Sequence, residues 1–371
     1  MDASQLASTT LGVLILAFVL ASALGALFHA THFCTMGAIS DLVLMQDATR
    51  LRQWALAAAV SILGFAAMHF AGWLNPLQTI YASNKMLWLS ALAGGLSFGV
   101  GMVLASGCAS KALVRLGSGN LKSLIVLLVM ALVALATLRG LLGVLRVNTL
   151  ETVFIDAHSQ AFVGSWWAQR SGHSIPVASA AAALCVGGGL LFWAFKESQF
   201  WRPSNIIAGL GVGFLITFMW WASGVWGHGL EHPETLEEFF IATSSGRMES
   251  FSFTAPVALV LDAFMYFSDG SKRLSIGMVS VLGVIVGAHL HARVTRSFRW
   301  ESFTNRQDFA RHVIGGALMG FGGVTAMGCT IGQGLSGLAT LSWMSLLTVA
   351  AIALGAWTAL TWQLKRVDIA P

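Results

Sequence analysis

Residues Ala91–Lys111 read ALAGGLSFGVGMVLASGCASK, and residues His312–Gly332 read HVIGGALMGFGGVTAMGCTIG. At a constant offset of 221, Gly94, Gly95, Gly99, Gly101, Gly107 and Cys108 fall on Gly315, Gly316, Gly320, Gly322, Gly328 and Cys329. Each copy is an uncharged apolar run of membrane-span length. Each ends in a Gly-Cys pair, and a shorter apolar piece follows. Upstream, Asp47 and His69 echo Asp269 and His291 at offset 222. A repeat of this kind sets the plan of the whole chain.

The composition agrees. Hydrophobic residues make up 56% of the 371 positions and charged residues 10%, where a soluble domain carries about a quarter. Such a chain cannot cover a surface facing water, so lipid is its solvent. Full spans are expected near 9–30, 53–72, 86–106, 121–143, 175–195, 205–224, 273–292, 309–327 and 342–364. The first has only Asp2 before it and no basic leader, so it reads as a permanent span and not a cleaved signal peptide. Four leftover pieces, near 35–46, 109–117, 254–267 and 330–339, are too short to cross and read as re-entrant half-helices or, alternatively, interfacial helices.

With the N-terminus outside, 14 of the 21 Lys and Arg residues fall on the inner side. They include Arg50, Arg52, Lys111, Arg115, Lys122, Arg293, Arg296 and Arg299. Lys85, Arg139, Arg146, Arg170, Arg247, Lys272 and Arg273 fall outside. The acidic segment 226–253, with Glu231, Glu234, Glu237, Glu238 and Glu249, is expected outside as well. The span 86–106 then runs outward to inward and 309–327 the reverse, so the two copies are inverted. Transporters use this plan to place a site at the repeat interface. The expected fold is an all-α polytopic membrane protein of about nine transmembrane helices plus four half-helices. Its single domain over 1–371 divides into a first half (1–143), a connecting part (144–224) and a second, inverted half (225–371).

Three stretches share one design: His32-Phe33-Cys34-Thr35-Met36-Gly37, Ser106-Gly107-Cys108-Ala109-Ser110-Lys111 and Met327-Gly328-Cys329-Thr330-Ile331-Gly332-Gln333-Gly334. In each, a span ends, small residues follow, and a short piece begins at the cysteine. A helix starting there turns its free N–H groups and positive dipole end toward whatever lies at the cysteine, which is an anion site. Cys185, in an unbroken apolar run, reads as a small packing residue.

Other chemistries are disfavoured. No CxxC pair or zinc spacing is present, and His29, His32 and Cys34 read as a span end and not a metal site. His69, His289 and His291 likewise sit near span ends. The net charge of +5 lies between spans and forms no nucleic-acid surface. Gly94-Gly95 and Gly187-Gly188-Gly189 suggest close helix approach and not phosphate loops. No nucleotide motif appears, and no cofactor is implied. Span interiors hold almost no Asp or Glu, Asp262 apart, which argues against a carboxylate proton relay.

As a set, the three cysteine motifs resemble the YeeE/YedE family of sulfur-compound transporters, over nearly the whole chain. The resemblance implies thiosulfate uptake across the bacterial inner membrane and an hourglass of long and short helices. It also implies three functional thiols, here Cys34, Cys108 and Cys329. Some members act with selenium or other sulfur compounds, and some work beside a small cytoplasmic sulfur carrier. Carried over residue by residue, the substrate-binding set is Cys34, Thr35, Gly107, Cys108, Ala109, Ser110, Gly328, Cys329, Thr330 and Gln333. The competing reading is a membrane-bound sulfur-transfer or redox enzyme that forms persulfides or a disulfide on the same cysteines.

Overall fold

The computed structural model describes residues 3–157, 161–231, 237–269 and 273–369. Asp2, Glu234 and Lys272 lie outside them. The chain is almost wholly helical: α1 (Ala3–Thr31), α2 (Thr35–Met45), α3 (Thr49–Phe70), α4 (Trp88–Leu104), α5 (Ala109–Gly117), α6 (Leu121–Arg139) and α7 (Leu141–Thr149). Then follow α8 (Val163–Ser171), α9 (Ile175–Phe195), α10 (Pro203–Trp221), α11 (Thr254–Met265), α12 (Ile276–Val294), α13 (Arg306–Thr325) and α14 (Trp343–Ile369). Among the described residues, two short strand pairs form, β1 (Lys85–Met86) with β2 (Ile155–Asp156) and β3 (His228–Gly229) with β4 (Phe239–Phe240), both antiparallel.

Among the described residues, eight segments are long and apolar enough to cross a membrane. The ninth expected span is α13. It has 20 residues, but its first turns carry Arg306, Asp308 and Arg311, which make it less apolar than the others. Leu132, Leu184, Phe192, Ile207 and Phe214 point outward, as lipid-facing side chains of a multi-pass protein do.

The short pieces are all ordered. The expected pieces 35–46, 109–117 and 254–267 are the α-helices α2, α5 and α11. The fourth is π-helical over Gly332–Gly337, a geometry that recurs at functional sites.

Helix starts follow local chemistry. Asn120, Ser275 and Asn305 cap α6, α12 and α13 by accepting from Ser123, Met278 and Asp308 amides. Inside the bundle, α4 crosses α13 with Gly94 against Gly322 and Ala326, and Gly101 against Gly315. The contact register shows the two helices antiparallel. Two further pairs run parallel. In one, α1 lies along α12 with Gly25 on the Val284 carbonyl and Gly287 on that of Ser22. In the other, α10 lies along α3 with Gly209 on Leu56 and Gly213 on Val60, joined by a buried Gln53–Asn205 hydrogen bond of 2.8 Å. Without a hydrophobic drive between helices in lipid, such small-residue contacts are what hold them together.

Candidate functional site

The two Gly-Cys turns are built by the same hydrogen bonds. The amides of Ala105, Ser106 and Gly107 donate to the carbonyls of Gly101, Val103 and Met102. Those of Ala326, Met327 and Gly328 donate to Gly322, Val324 and Gly323. Each set closes the last turn of a long helix by the 6→1 pattern of a helix C-cap. A left-handed residue makes the turn, Ser106 at φ 57° and Met327 at φ 57°. Both stand two positions before the cysteine, and so does His32 at φ 55° before Cys34. Side chains other than glycine pay roughly 1 kcal/mol or more for this backbone, so the geometry is imposed by the surrounding packing. Cys34 shares this left-handed position with the other two although the sequence gives it no repeat partner.

The cysteines open the short helices. Cys34 is the N-cap of α2, and its Sγ accepts from the Gly37 amide at 3.4 Å. Cys329 Sγ accepts from the Gly332 amide at the same distance. Cys108 is the N-cap of α5, and its Sγ lies 3.2 Å from Ser110 Oγ. All are free thiols. Cys108 and Cys329 are fully buried, Cys34 is half-buried, and Cys185 is exposed on α9, away from the others.

The three turns converge. Cys34 and Cys108 are near enough for their thiols to influence each other, and Thr330 adjoins Cys108. Cys329, the neighbour of Thr330, lies near both Cys108 and Tyr81. Thr35 and Thr330 both line a cavity of about 80 Å³ together with Trp54, and both hydroxyls are buried without a partner. Ala109, fully buried, is the first residue of α5.

Three expected residues act on the turns themselves. Gln333 Nε2 donates to the carbonyls of Ala326 and Met327 at 2.9 and 3.1 Å, and its Oε1 accepts from Ser345 at 2.6 Å. The amide is fully engaged in holding the turn. Gly328 packs on Gln333, and Gly107 lies under the Lys111 stem, where a Cβ would come within 3.1 Å.

Lys111 is the residue that sequence reading missed. It sits beside Cys34 and Cys108, and its ammonium makes no hydrogen bond or ion pair among the described residues. Its position carried a signal. A cation in the first turn of a helix opposes the dipole, so it is there for another reason. Around it stand His29, His32 and Arg50, the last tied to Asp41 at 3.2 Å. Arg115 donates to the Ser106 carbonyl at 2.7 Å. Beyond that bond lies a polar cavity of about 450 Å³, lined by Arg115, Lys122, Arg299, Glu301, Asp308 and His312 among others. Tyr81 was also missed; its hydroxyl donates to the Gly332 carbonyl.

The profile of the sulphur-transport family matches residues 30–358, which hold all three turns. The chain belongs to the sulphur-transport family. This is the YeeE/YedE family that its cysteine motifs resemble. Two characterised relatives align over nearly their full lengths. The thiosulfate transporter TsuA of Escherichia coli (strain K12) is 26% identical over 91% of this chain and 90% of its own. The thiosulfate transporter TsuA of Spirochaeta thermophila is 27% identical over 92% of this chain and 96% of its own. In this member of the sulphur-transport family, Cys108 and Cys329 are buried inside the helical bundle.

Proposed function

We propose that the chain takes up thiosulfate, or a closely related sulfur oxoanion, across the bacterial inner membrane, with the N-terminus outside and the C-terminus inside. It acts as a transporter and not an enzyme. The convergence of the Cys34, Cys108 and Cys329 turns beside the lone ammonium of Lys111 carries this reading. The relatives named as thiosulfate transporters support it.

A divalent oxoanion loses several kcal/mol or more of hydration on entering an apolar site. The open N-termini of α2 and α5 and the charge of Lys111 offset part of that loss. Thiols are weak donors and match a soft terminal sulfur. They let the anion pass from Cys to Cys without being held, as conduction requires. The antiparallel glycine crossing of α4 and α13 fits a site at the interface of two inverted halves, 1–143 and 225–371, joined by 144–224.

One observation favours the sulfur-transfer reading, which is the proximity of Cys34 to Cys108, since two neighbouring thiols can form a disulfide. The deciding experiment is uptake of radiolabelled thiosulfate by cells stripped of their own sulfate and thiosulfate importers, followed by mass spectrometry of the protein. Saturable uptake with unmodified cysteines is expected. An obligatory persulfide adduct during turnover would give the site to the enzyme.

A further inference from the structure

The last turns of α1 and α12 meet at His29 and His291. Their Nδ1 atoms lie 2.9 Å apart, with ring centroids 5.0 Å apart and planes inclined at 57°. Two imidazole nitrogens at that distance attract only when a single proton lies between them. The pair therefore holds two protons when neutral and three as a monocation, and both states keep the contact. A fourth proton would set N–H against N–H and break it. The geometry thus accommodates one extra proton without rearrangement. Both rings are half-buried at helix C-termini, where the dipole favours a cation.

The surroundings set when that proton can enter. Lys111 of α5 and His32, behind α1, face His29, and Arg50 of α3 stands next to His32. On the other side of α1, α10 carries no charged residue. Asp262, the one acidic residue of α11, is joined to Arg139 at 3.3 Å. The groups near His29 are thus Lys111 and His32, with Arg50 behind His32 ion-paired to Asp41. Lys111 adjoins both this pair and the two thiols. A dianion arriving at the thiols would reverse the local potential.

We propose that His29 and His291 form a proton-binding site linked to the anion site. One proton enters the pair as the anion reaches Cys34 and Cys108 and leaves as the anion leaves. A dianion accompanied by one proton moves a net single negative charge. Linkage is reciprocal, so acid pH tightens anion binding and anion binding takes up a proton. The inference rests on the proposed anion transport.

The test is calorimetric titration of the purified full chain with thiosulfate from pH 5.5 to 8.5, in two buffers of different ionisation enthalpy. Wild-type protein is expected to take up close to one proton per anion, with Kd rising by up to about tenfold per pH unit through the linked range. The double variant His29→Asn/His291→Asn keeps a hydrogen bond between the helices but has no ring to protonate. It should bind with no proton uptake and a flat pH profile, whereas His173→Gln should keep the slope. No proton uptake by the wild type, a result needing no variant, would overturn the proposal. So would an unchanged slope in the double variant. Absence of thiosulfate binding at every pH would instead remove the transport reading itself.

Discussion

Gly94 and Gly322 touch backbone to backbone where α4 crosses α13; a Cβ on Gly94 would stand 2.7 Å from the Gly322 carbonyl oxygen. Gly101 and Gly315 make the matching contact, also at 2.7 Å. Adding 221 to 94 and to 101 gives 315 and 322, so the repeat exchanges the two contacts with each other. The crossing holds α4 against α13 just before the turns that lead to Cys108 and Cys329.

Gly322→Val should therefore push the two helices apart. Overpacking of a tight contact costs roughly 1–3 kcal/mol, and a fall in detergent-solubilised melting temperature with loss of uptake is expected. Gly188 has nothing within 4 Å of a built Cβ. Gly188→Ala should instead leave stability unchanged or raise it by about 0.5–1 kcal/mol. Equal effects of the two changes would show that the crossing is not special.

The cysteines should separate three to one. Cys34→Ala, Cys108→Ala and Cys329→Ala are each expected to lower the initial rate of thiosulfate uptake by about tenfold or more, equivalent to about 1.4 kcal/mol. Cys185→Ala should match the wild type, because Cys185 is exposed on α9 and faces none of the turns. Normal uptake by both Cys108→Ala and Cys329→Ala would end the role assigned to the thiols.

Mild oxidation offers an independent measure of the site geometry. Cys34 and Cys108 lie close enough for their thiols to interact, so oxidation should join them and stop uptake, with dithiothreitol restoring it. Cys34→Ser protein should form no such bond, as read by thiol titration of the denatured chain.

Lys111 should act on affinity more than on capacity. Lys111→Met removes a charge that has no ion-pair partner among the described residues and should raise the half-saturating thiosulfate concentration on the order of tenfold. Lys111→Arg, which keeps the charge, should recover much of it. A full loss of uptake in both variants would mark Lys111 as structural.

Glu249, in the segment between α10 and α11, is buried with Ser244 as its hydrogen-bond partner among the described residues, and burial pushes its carboxyl up to about 7. Its folded value lies above its unfolded one. The folded state therefore binds the proton more tightly, and stability falls as pH rises between about 4.5 and 7. The loss is of order 3 kcal/mol when complete. Melting temperature should drop over that window, and Glu249→Gln should flatten the profile and melt higher than wild type at pH 8. An unchanged profile would show that another group sets the pH dependence.

The membrane character, the helical fold and the pairing of Cys108 with Cys329 were all legible in the order of residues. These features are local: uncharged runs of membrane-span length, glycines at turns, and a motif repeated at one offset. The short helices opening at Cys34 and Cys108 were legible for the same reason. What no local pattern could supply was the meeting of parts far apart in the chain. Cys34, without a repeat partner, joined the other two because the left-handed turn at His32 matches those at Ser106 and Met327 and because packing brings it to Cys108. Gln333, expected to face the substrate, spends its amide on the Ala326 and Met327 carbonyls, since buried polar groups must be satisfied. Lys111 looked like one more inner-side charge until the fold set it beside two thiols. His29 and His291, each read as an ordinary span end, are 262 positions apart and become a pair only because α1 and α12 pack side by side. The sequence by itself determined which segments enter the membrane and where the chain must turn, because burial and backbone sterics act over a few residues. Only the tertiary structure decided which turns meet and which charges face them, because that depends on how closely packed helices can approach.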